Sequence, residues 1–191
     1  MSVFRTIQQA VTGGGLYKPV YNVKNIDNKT QVEERHYESA MWVSTTVQGM
    51  DYERAVSTGF WRLFKYIGGE NDHGCKIEMT APVATKIIPG AGPNCENTFV
   101  ISFYVPPEHQ KNPPVPTSPN VSLQRFPEMT VFTRSFGGFA KEATWLAEAR
   151  NLGETLIGKE KFHHDFYFTA GYDSPYKLFG RRNEVWFVKA P

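Results

Sequence analysis

The sequence contains two copies of one structural plan, 89 residues apart, which restricts the chain to folds built from two similar halves. Residues 32–49 align with residues 121–138 without a gap, so that Tyr37 meets Phe126 and Gly49 meets Gly138. At the same offset, Met79-Thr80-Ala81 meets Phe168-Thr169-Ala170. We therefore expect a single domain over residues 1–191, with a terminal segment at 1–20 and pseudo-repeats at about 32–105 and 121–188.

Each copy predicts the same series of elements. Two β-rich runs flank Glu38-Ser39 in the first copy and Pro127-Glu128 in the second, and such short polar breaks indicate tight hairpins. In the first copy Asp51 is a helix cap, and Gly68-Gly69 ends the helix. The apolar stripes of the two helices are Tyr52, Val56, Phe60, Leu63 and Ile67, and then Ala143, Leu146, Ala149, Gly153 and Leu156. A strand leads to each Thr-Ala pair, and a second apolar run closes each copy, at 98–105 and 184–188.

Four strands per copy, mostly joined by short links, favour antiparallel pairing. Two such sheets, each with one face to bury, most simply meet as a barrel with the helices packed outside. The predicted fold class is therefore α+β, a distorted eight-stranded antiparallel β-barrel made of two pseudo-repeats with two long flanking helices. The proline-rich stretch 106–119 is expected to be a surface loop between the copies.

Composition excludes several classes of function. The net charge is only +2, and no basic run extends beyond Arg181-Arg182, so nucleic acid is not an expected partner. No apolar stretch approaches the roughly 20 residues of a spanning helix, so we expect no integral membrane segment. No Gly-x-Ser-x-Gly elbow, phosphate-binding glycine loop or His-Glu-x-x-His string occurs, and we expect no enzymatic activity. Aromatic residues reach 14%, a high share that suits a pocket for a flat ligand.

The cysteines and the N-terminus suggest where the protein works. Two cysteines, Cys75 and Cys95, form no disulfide framework or zinc site, so a reducing compartment and a cytoplasmic location are expected. The first residues have no signal-peptide core, and Val3, Phe4, Ile7 and Val11 follow helical spacing. We expect a short helix that ends at Gly13-Gly14-Gly15; a mitochondrial transit peptide is the alternative, although it would be richer in arginine.

Several strings together resemble the SOUL haem-binding protein family, from about Val32 to Val188. The strings are Arg35-His36-Tyr37, Trp42-Val43-Ser44-Thr45, Lys76-Ile-Glu-Met-Thr-Ala-Pro-Val83, Glu128-Met-Thr-Val-Phe132, Thr169-Ala-Gly-Tyr172 with Ser174-Pro175, and Gly180-Arg-Arg-Asn-Glu-Val-Trp186. The resemblance implies a distorted eight-stranded barrel with two helices, in agreement with the fold reached above. It also implies non-catalytic, non-covalent binding of haem or related tetrapyrroles, as a carrier or buffer.

The resemblance also points to site residues. His36 stands where an axial histidine has been proposed for haem iron, and it shares a strand face with Val32 and Glu34; the alternative is a surface strand residue. Lys65 and Lys177 match the basic positions that the family places near the porphyrin, and the alternative for each is a solvated charge. Phe60 replaces a methionine and suits a porphyrin face or ordinary core packing.

The site is expected to be asymmetric, because its features occur in one copy only. Phe60 aligns with Ala149 and Lys65 with Glu154, so the first helix and the loop before the last strand should form it. Ser57 stands where a relative carries an arginine, which puts one propionate contact in doubt.

Two other functions remain open. The SOUL branch resembles proteins linked to mitochondrial membrane permeability and cell death, which suggests an intracellular interaction protein with incidental haem affinity and a protein partner. Its partner helix would be Leu146–Ile157, although core packing explains the same apolar spacing. The duplicated architecture is also similar to bacterial effector-binding modules that hold drug-like cations. Such a module requires a deep acidic residue, and Glu78 is the candidate by position.

Overall fold

A computed structural model describes residues 15–92 and 94–191, and the predicted terminal helix falls on residues 1–14, outside that range. The described residues form two long helices, α1 (Tyr52–Gly68) and α2 (Glu142–Leu156), and nine strands. The strands are β1 (Tyr21–Asp27), β2 (Val32–Tyr37), β3 (Ala40–Gly49), β4 (Val83–Ile88), β5 (Asn97–Tyr104), β6 (Ser122–Phe126), β7 (Met129–Phe136), β8 (Tyr167–Gly171) and β9 (Asn183–Val188). A short 3₁₀ helix, Pro107–His109, lies in the proline-rich loop between the two copies.

The nine strands form one antiparallel sheet in the order β1-β2-β7-β9-β8-β4-β5-β3-β6. When β2 to β5 are matched with β6 to β9, this order reads the same outward from the β4–β8 boundary in both directions. A local two-fold axis therefore relates the two copies. The sheet curls into a half-barrel, and the predicted α+β class with two long helices is confirmed. The strand β1, which pairs with β2 at the edge, is a ninth strand that the sequence did not predict; six of its seven residues are exposed, so it has no apolar alternation.

The predicted hairpins are wrong, because β2 and β3 do not pair with each other. Instead β2 pairs with β7, with Tyr37 opposite Met129, and β3 pairs with β6, with Ala40 opposite Phe126. Two-residue hairpin turns favour Gly or Asn at positions with positive φ, and neither Glu38-Ser39 nor Pro127-Glu128 supplies them. The chain instead crosses to the other half of the sheet. The first strand of each copy therefore pairs with a strand of the other copy.

The offset between the copies changes after the first helix. Val43 pairs with Phe103, and its equivalent Phe132 pairs with Phe187. Equivalent residues of the two copies are therefore 89 positions apart before the first helix and 84 positions apart after it. The first copy has five additional residues between its helix and β4. The predicted match of Met79-Thr80-Ala81 with Phe168-Thr169-Ala170 is therefore wrong, and Ala84 pairs with Ala170 across the local axis.

The helix α1 follows the predicted boundaries. The Asp51 carboxylate accepts a hydrogen bond from the Arg54 amide over 2.8 Å, and Gly69 ends the helix with a φ of 127°. Its buried face, which packs on β3 and β5, consists of Tyr52, Ala55, Gly59, Leu63, Tyr66 and Ile67.

The helix α2 packs on β7 and β9, but its buried face differs from the predicted stripe. Ala143 and Leu146 are exposed, and the buried residues are Trp145, Ala149, Leu152 and Leu156. The helix is rotated about its axis relative to the predicted stripe. It thereby buries the larger side chains of Trp145 and Leu152 and removes more apolar surface from water. The helix begins without a side-chain cap of its own; the Glu53 carboxylate of α1 accepts from the Glu142 amide over 2.8 Å.

The sheet buries apolar side chains on both faces. The helix-covered face includes Val43, Phe99, Ile101, Phe103 and Val185. The opposite face carries a second cluster built around Tyr37, Trp42, Tyr104, Phe168 and Trp186. The buried charged side chains of Arg35 and Glu184 lie at one end of this second cluster. Glu184 also contacts Tyr172, at the start of the loop between β8 and β9.

Candidate functional site

An apolar groove lies where α1 meets the loop that follows β8. It encloses about 210 Å³. Four parts of the chain line it: the segment before β1, the helix α1, the segment before and into β4, and the end of β8 with the start of the β8–β9 loop. The lining residues are Leu16, Phe60, Trp61, Phe64, Met79, Thr80, Val83 and the run from Gly171 to Tyr176.

The aromatic side of the groove comes from consecutive turns of α1. Phe60 and Phe64 are four residues apart, so they lie on one helix face, and their stacked ring centroids are 5.7 Å apart. Trp61 meets both rings edge-on at 5.6 and 5.5 Å. The ring of Phe60 also packs against Phe103 of β5 at 5.4 Å, which fixes the cluster to the core. Trp61 is 57% exposed, so a large aromatic surface faces the groove and solvent.

Gly59 sets how closely α1 approaches the sheet. A Cβ atom at this position would lie 2.6–2.9 Å from side-chain atoms of Ile101, well inside contact distance. Only glycine therefore allows the helix to sit this deeply against β5. The position of Phe60, the next residue, depends on this close approach.

Ion pairs and carbonyl contacts hold the other side of the groove. The Tyr172 hydroxyl donates to the Glu184 carboxylate over 2.8 Å, and the Lys177 ammonium donates to Asp173 over 2.6 Å. The Arg181 guanidinium donates to the carbonyl oxygens of Ser174 and Lys177 at 2.6 and 2.8 Å. These contacts give the β8–β9 loop a defined shape without a regular element.

The central anion of this region is Glu184, which is fully buried. Burial opposes its ionisation, but the guanidinium groups of Arg35 and Arg182 outweigh that effect and hold the pKa of Glu184 below its ordinary value. The indole N–H of Trp186 donates to the same carboxylate over 2.8 Å. Burial, followed by the nearby Glu184 charge, raises the pKa of Tyr172 well above its ordinary value, so Tyr172 is a neutral donor.

The positions of Glu78 and Glu184 argue against the alternative function, the binding of a drug-like cation. Glu78 is only half-buried and does not line the groove. Glu184 is buried, but two arginines of the same chain already neutralise it. A drug-like cation would have to displace them, which the described residues do not favour.

The chemistry of the groove is that of an apolar surface. The Thr80 hydroxyl donates to the Tyr104 carbonyl over 2.6 Å, and Ser174 Oγ accepts from the Tyr176 amide over 3.2 Å, so their polar atoms are satisfied internally. No histidine or cysteine is among the lining residues, and no three His, Cys, Asp or Glu side chains of the described chain gather as a metal site. The thioether of Met79 and the phenols of Tyr172 and Tyr176 are the lining groups of a type that ligates haem iron, and the Tyr172 hydroxyl already donates to Glu184.

The structure brings three of the four predicted site residues to one region. Phe60 lines the groove, Lys177 adjoins its loop wall, and Lys65 is exposed on α1 one turn after Trp61. Ser57 is exposed one turn before Trp61, where it offers no positive charge.

His36 lies elsewhere. Its Nδ1 is 3.1 Å from the Thr130 hydroxyl, and its Nε2 is 3.8 Å from the Glu128 carboxylate. Thr130 is at the end of β7 where Val131 meets Val188, whereas Gly171 pairs with Asn183 at the other end of β9. The five residue steps along β9 from Asn183 to Val188 span roughly 17 Å. Iron ligation by His36 stays a prediction, and it requires haem to bind beside the β2–β7 pair, near Thr130, and outside the groove.

Sequence reasoning missed most of the groove. Trp61, Phe64, Met79, Tyr172 and Tyr176 were not predicted as site residues, although all line it. The available signal was Trp61, an aromatic residue outside the apolar stripe of an amphipathic helix. The contributions of Met79 and Tyr172 depend on which strands pair, and the wrong offset after α1 concealed them.

Comparison with known proteins settles the family. A model of the SOUL heme-binding protein family matches residues 16–188. The chain belongs to the SOUL family. Relatives include Heme-binding protein 2 of Homo sapiens, 46% identical over 158 residues that cover 82% of this chain and 77% of that protein. Heme-binding protein 1 of Xenopus laevis is 37% identical over 157 residues, covering 82% and 83%.

Solved structures share this SOUL fold at low sequence identity. The EcmrR C-terminal domain is 15% identical, with a TM-score of 0.56 over 84% of this chain and 97% of that one. SAV2435 bound to tetraphenylphosphonium is 9% identical, with a TM-score of 0.52 over 83% and 93%. These similarities concern the fold alone. Within the described residues, no helix is long and apolar enough to cross a bilayer.

Proposed function

We propose that this SOUL-family chain binds haem or a related tetrapyrrole non-covalently in the groove between α1 and the β8–β9 loop. The observation that carries the proposal is the aromatic surface of Phe60, Trp61 and Phe64, which offers stacking contacts to a flat apolar macrocycle. The names of its relatives, Heme-binding proteins 1 and 2, support the same ligand class.

The basic residues near the groove suit the propionates of haem. Lys65 and Lys177 flank it on the helix side and the loop side, and Arg181 lies behind the loop. Lys177 already contacts Asp173, so a propionate would compete with that carboxylate for its ammonium group. Charge attraction at such exposed positions would orient the ligand and add only modest affinity.

The size of the groove favours an exchangeable ligand. Its 210 Å³ is below the roughly 300–1,000 Å³ of pockets that enclose drug-sized ligands. A tetrapyrrole would therefore be held on one face and along one edge, with the rest exposed. Such binding suits a carrier or buffer. The groove contains no nucleophile paired with a base, and this supports a role without catalysis.

Hemin titration tests this proposal. We expect a Soret band that saturates at one haem per chain, with tryptophan fluorescence quenched by energy transfer to the haem. The variant Trp61→Phe keeps an aromatic ring in the groove and should retain the Soret change. If micromolar hemin gives no saturable complex, the proposal is wrong.

A protein partner on α2 is less well supported. Within the predicted partner segment Leu146–Ile157, Ala149, Leu152 and Leu156 are buried against the sheet, and Leu146 and Ile157 are its large apolar residues that remain exposed. A partner groove would have to displace α2 from its own core.

A further inference from the structure

The tip of the β8–β9 loop exposes large apolar side chains. Phe179 is 85% exposed, Tyr176 67% and Leu178 66%. Among large hydrophobic residues of the described chain, Phe179 is the most exposed. Exposed apolar groups clustered in this way, beside charges, mark an interaction surface.

The fold itself does not require these side chains. At the offset of 84 residues that relates β8 and β9 to β4 and β5, the loop residues equivalent to Tyr176, Leu178 and Phe179 are Gly92, Asn94 and Cys95. The same connection is thus made in the first copy with small and polar residues. The apolar tip is an added feature of the second copy.

The tip has a defined shape. Arg181 donates to two carbonyl oxygens of the loop, and Gly180 adopts a φ of 61° that closes the turn. The Arg181 guanidinium lies 4.2 Å from the ring centroid of Phe139, which is itself 56% exposed. These contacts hold the loop in one shape, with Leu178 and Phe179 exposed at its tip.

The charge around the tip is positive. Asp173 is neutralised by Lys177, and Glu184 by Arg35 and Arg182. Arg181 contacts carbonyl oxygens and an aromatic ring, and no carboxylate of the described chain forms an ion pair with it. Lys65 is exposed on the groove side. Aromatic and leucine side chains beside basic residues are the composition of an interfacial membrane anchor.

We propose that the tip Tyr176–Phe179 inserts into the interface of an anionic lipid bilayer. Leu178 and Phe179 would enter the acyl boundary, and Lys65 would face the anionic headgroups, while Arg181, whose guanidinium holds the loop carbonyls, would add its charge to the local positive potential. Tyr176 belongs to both the tip and the groove, so docking of the tip would place the groove at the bilayer surface. The inference does not depend on haem, although it gives a tetrapyrrole carrier a direct route to and from the lipid phase.

Vesicle co-sedimentation of the haem-free protein tests this inference. The vesicles are pure phosphatidylcholine or phosphatidylcholine with phosphatidylserine at about 3:1. We expect binding to the anionic vesicles only, weakening as salt rises. The double variant Leu178→Ser/Phe179→Ser should lower the partition constant at least about tenfold. The matched control Leu146→Ser/Ile157→Ser removes two similarly exposed apolar residues from α2 and should bind as the native chain does.

Fluorescence gives an independent readout, because Trp61 lies on the same groove as Tyr176. We expect brominated lipid to quench Trp61 of the native chain, and Trp61→Phe to remove that signal while binding persists. Absence of native binding, unchanged binding of the tip variant, or equal loss in the control would each overturn the inference. So would binding of a second copy of the chain through the tip, seen as concentration-dependent dimerisation that the tip variant abolishes. Hemin titration without vesicles keeps the haem proposal separate.

Discussion

The Arg35 guanidinium donates to both carboxylate oxygens of Glu184 at 3.0 Å, with both side chains buried. Arg35 is on β2, the strand that the first copy contributes to the second half, and Glu184 is on β9 of the second copy. The pair therefore joins β2 of the first copy to β9 of the second copy. Its equivalents in the other half are Gln124 and Val100, so the contact occurs once.

Removing the Glu184 charge should strongly destabilise the fold. Glu184→Gln removes the carboxylate that pairs with Arg182 and leaves buried Arg35 with only the partly exposed Glu33, and breaking a buried pair costs about 3–5 kcal/mol in unfolding free energy. Urea denaturation measures this loss. Glu33→Gln is the matched control, because Glu33 also contacts Arg35 but is partly exposed, and it should cost less than about 1 kcal/mol. Equal losses in the two variants would contradict this assignment.

The same carboxylate gives the fold an acid-sensitive component. Because the pKa of Glu184 is lowered in the folded state, the unfolded state takes up a proton first as pH falls. The stabilisation is complete above the ordinary value of 4.5 and is lost as pH falls through the lowered folded value. The stability difference between the native chain and Glu184→Gln should therefore shrink progressively as the pH falls below the ordinary pKa of 4.5. Urea titrations at several pH values measure it, and a constant difference would show that Glu184 is not responsible.

The contact of α1 with β5 predicts the effect of a single methyl group. Gly59→Ala would place its Cβ against Ile101, and the overpacking should cost about 1–3 kcal/mol while moving Phe60 and the groove. In Gly68→Ala the new methyl meets no atom within 4 Å, so stability should stay the same or rise by up to about 1 kcal/mol. Thermal unfolding of both variants checks the pair. A Gly59→Ala variant as stable as the native chain would mean that α1 sits further from the sheet.

Much of the architecture followed from the sequence, because it depends on local patterns. The helix from Asp51 to Gly69 has a cap, an amphipathic period and a glycine stop, and its ends are as predicted. The exchange of β2 and β6 did not follow, since a polar break of two residues shows where a strand ends and not which strand it pairs with. Within the site, Phe60 was found through resemblance. Met79 and Tyr172 reach the groove only through long-range pairing, which a single sequence does not reveal.

The lysines beside the groove should discriminate between ligands that differ only in charge. We expect Lys65→Ala and Lys177→Ala each to weaken hemin binding about 2–5-fold, because an exposed ion pair contributes at most about 1 kcal/mol. The same variants should bind a porphyrin dimethyl ester as the native chain does. Lys159→Ala, an exposed lysine outside the groove, is the control. Absorbance titrations measure all the affinities, and equal weakening for acid and ester would exclude a propionate contact.

The position of the ligand is tested most directly by ¹H–¹⁵N NMR of the chain titrated with paramagnetic hemin, using zinc protoporphyrin as the diamagnetic reference. We expect hemin to broaden the amide signals of residues 60–64 and 171–176 first, and to leave those of His36 and Thr130 sharp. Broadening centred on His36 and Thr130, with sharp signals from α1, would contradict binding in the groove and place the haem beside the β2–β7 pair.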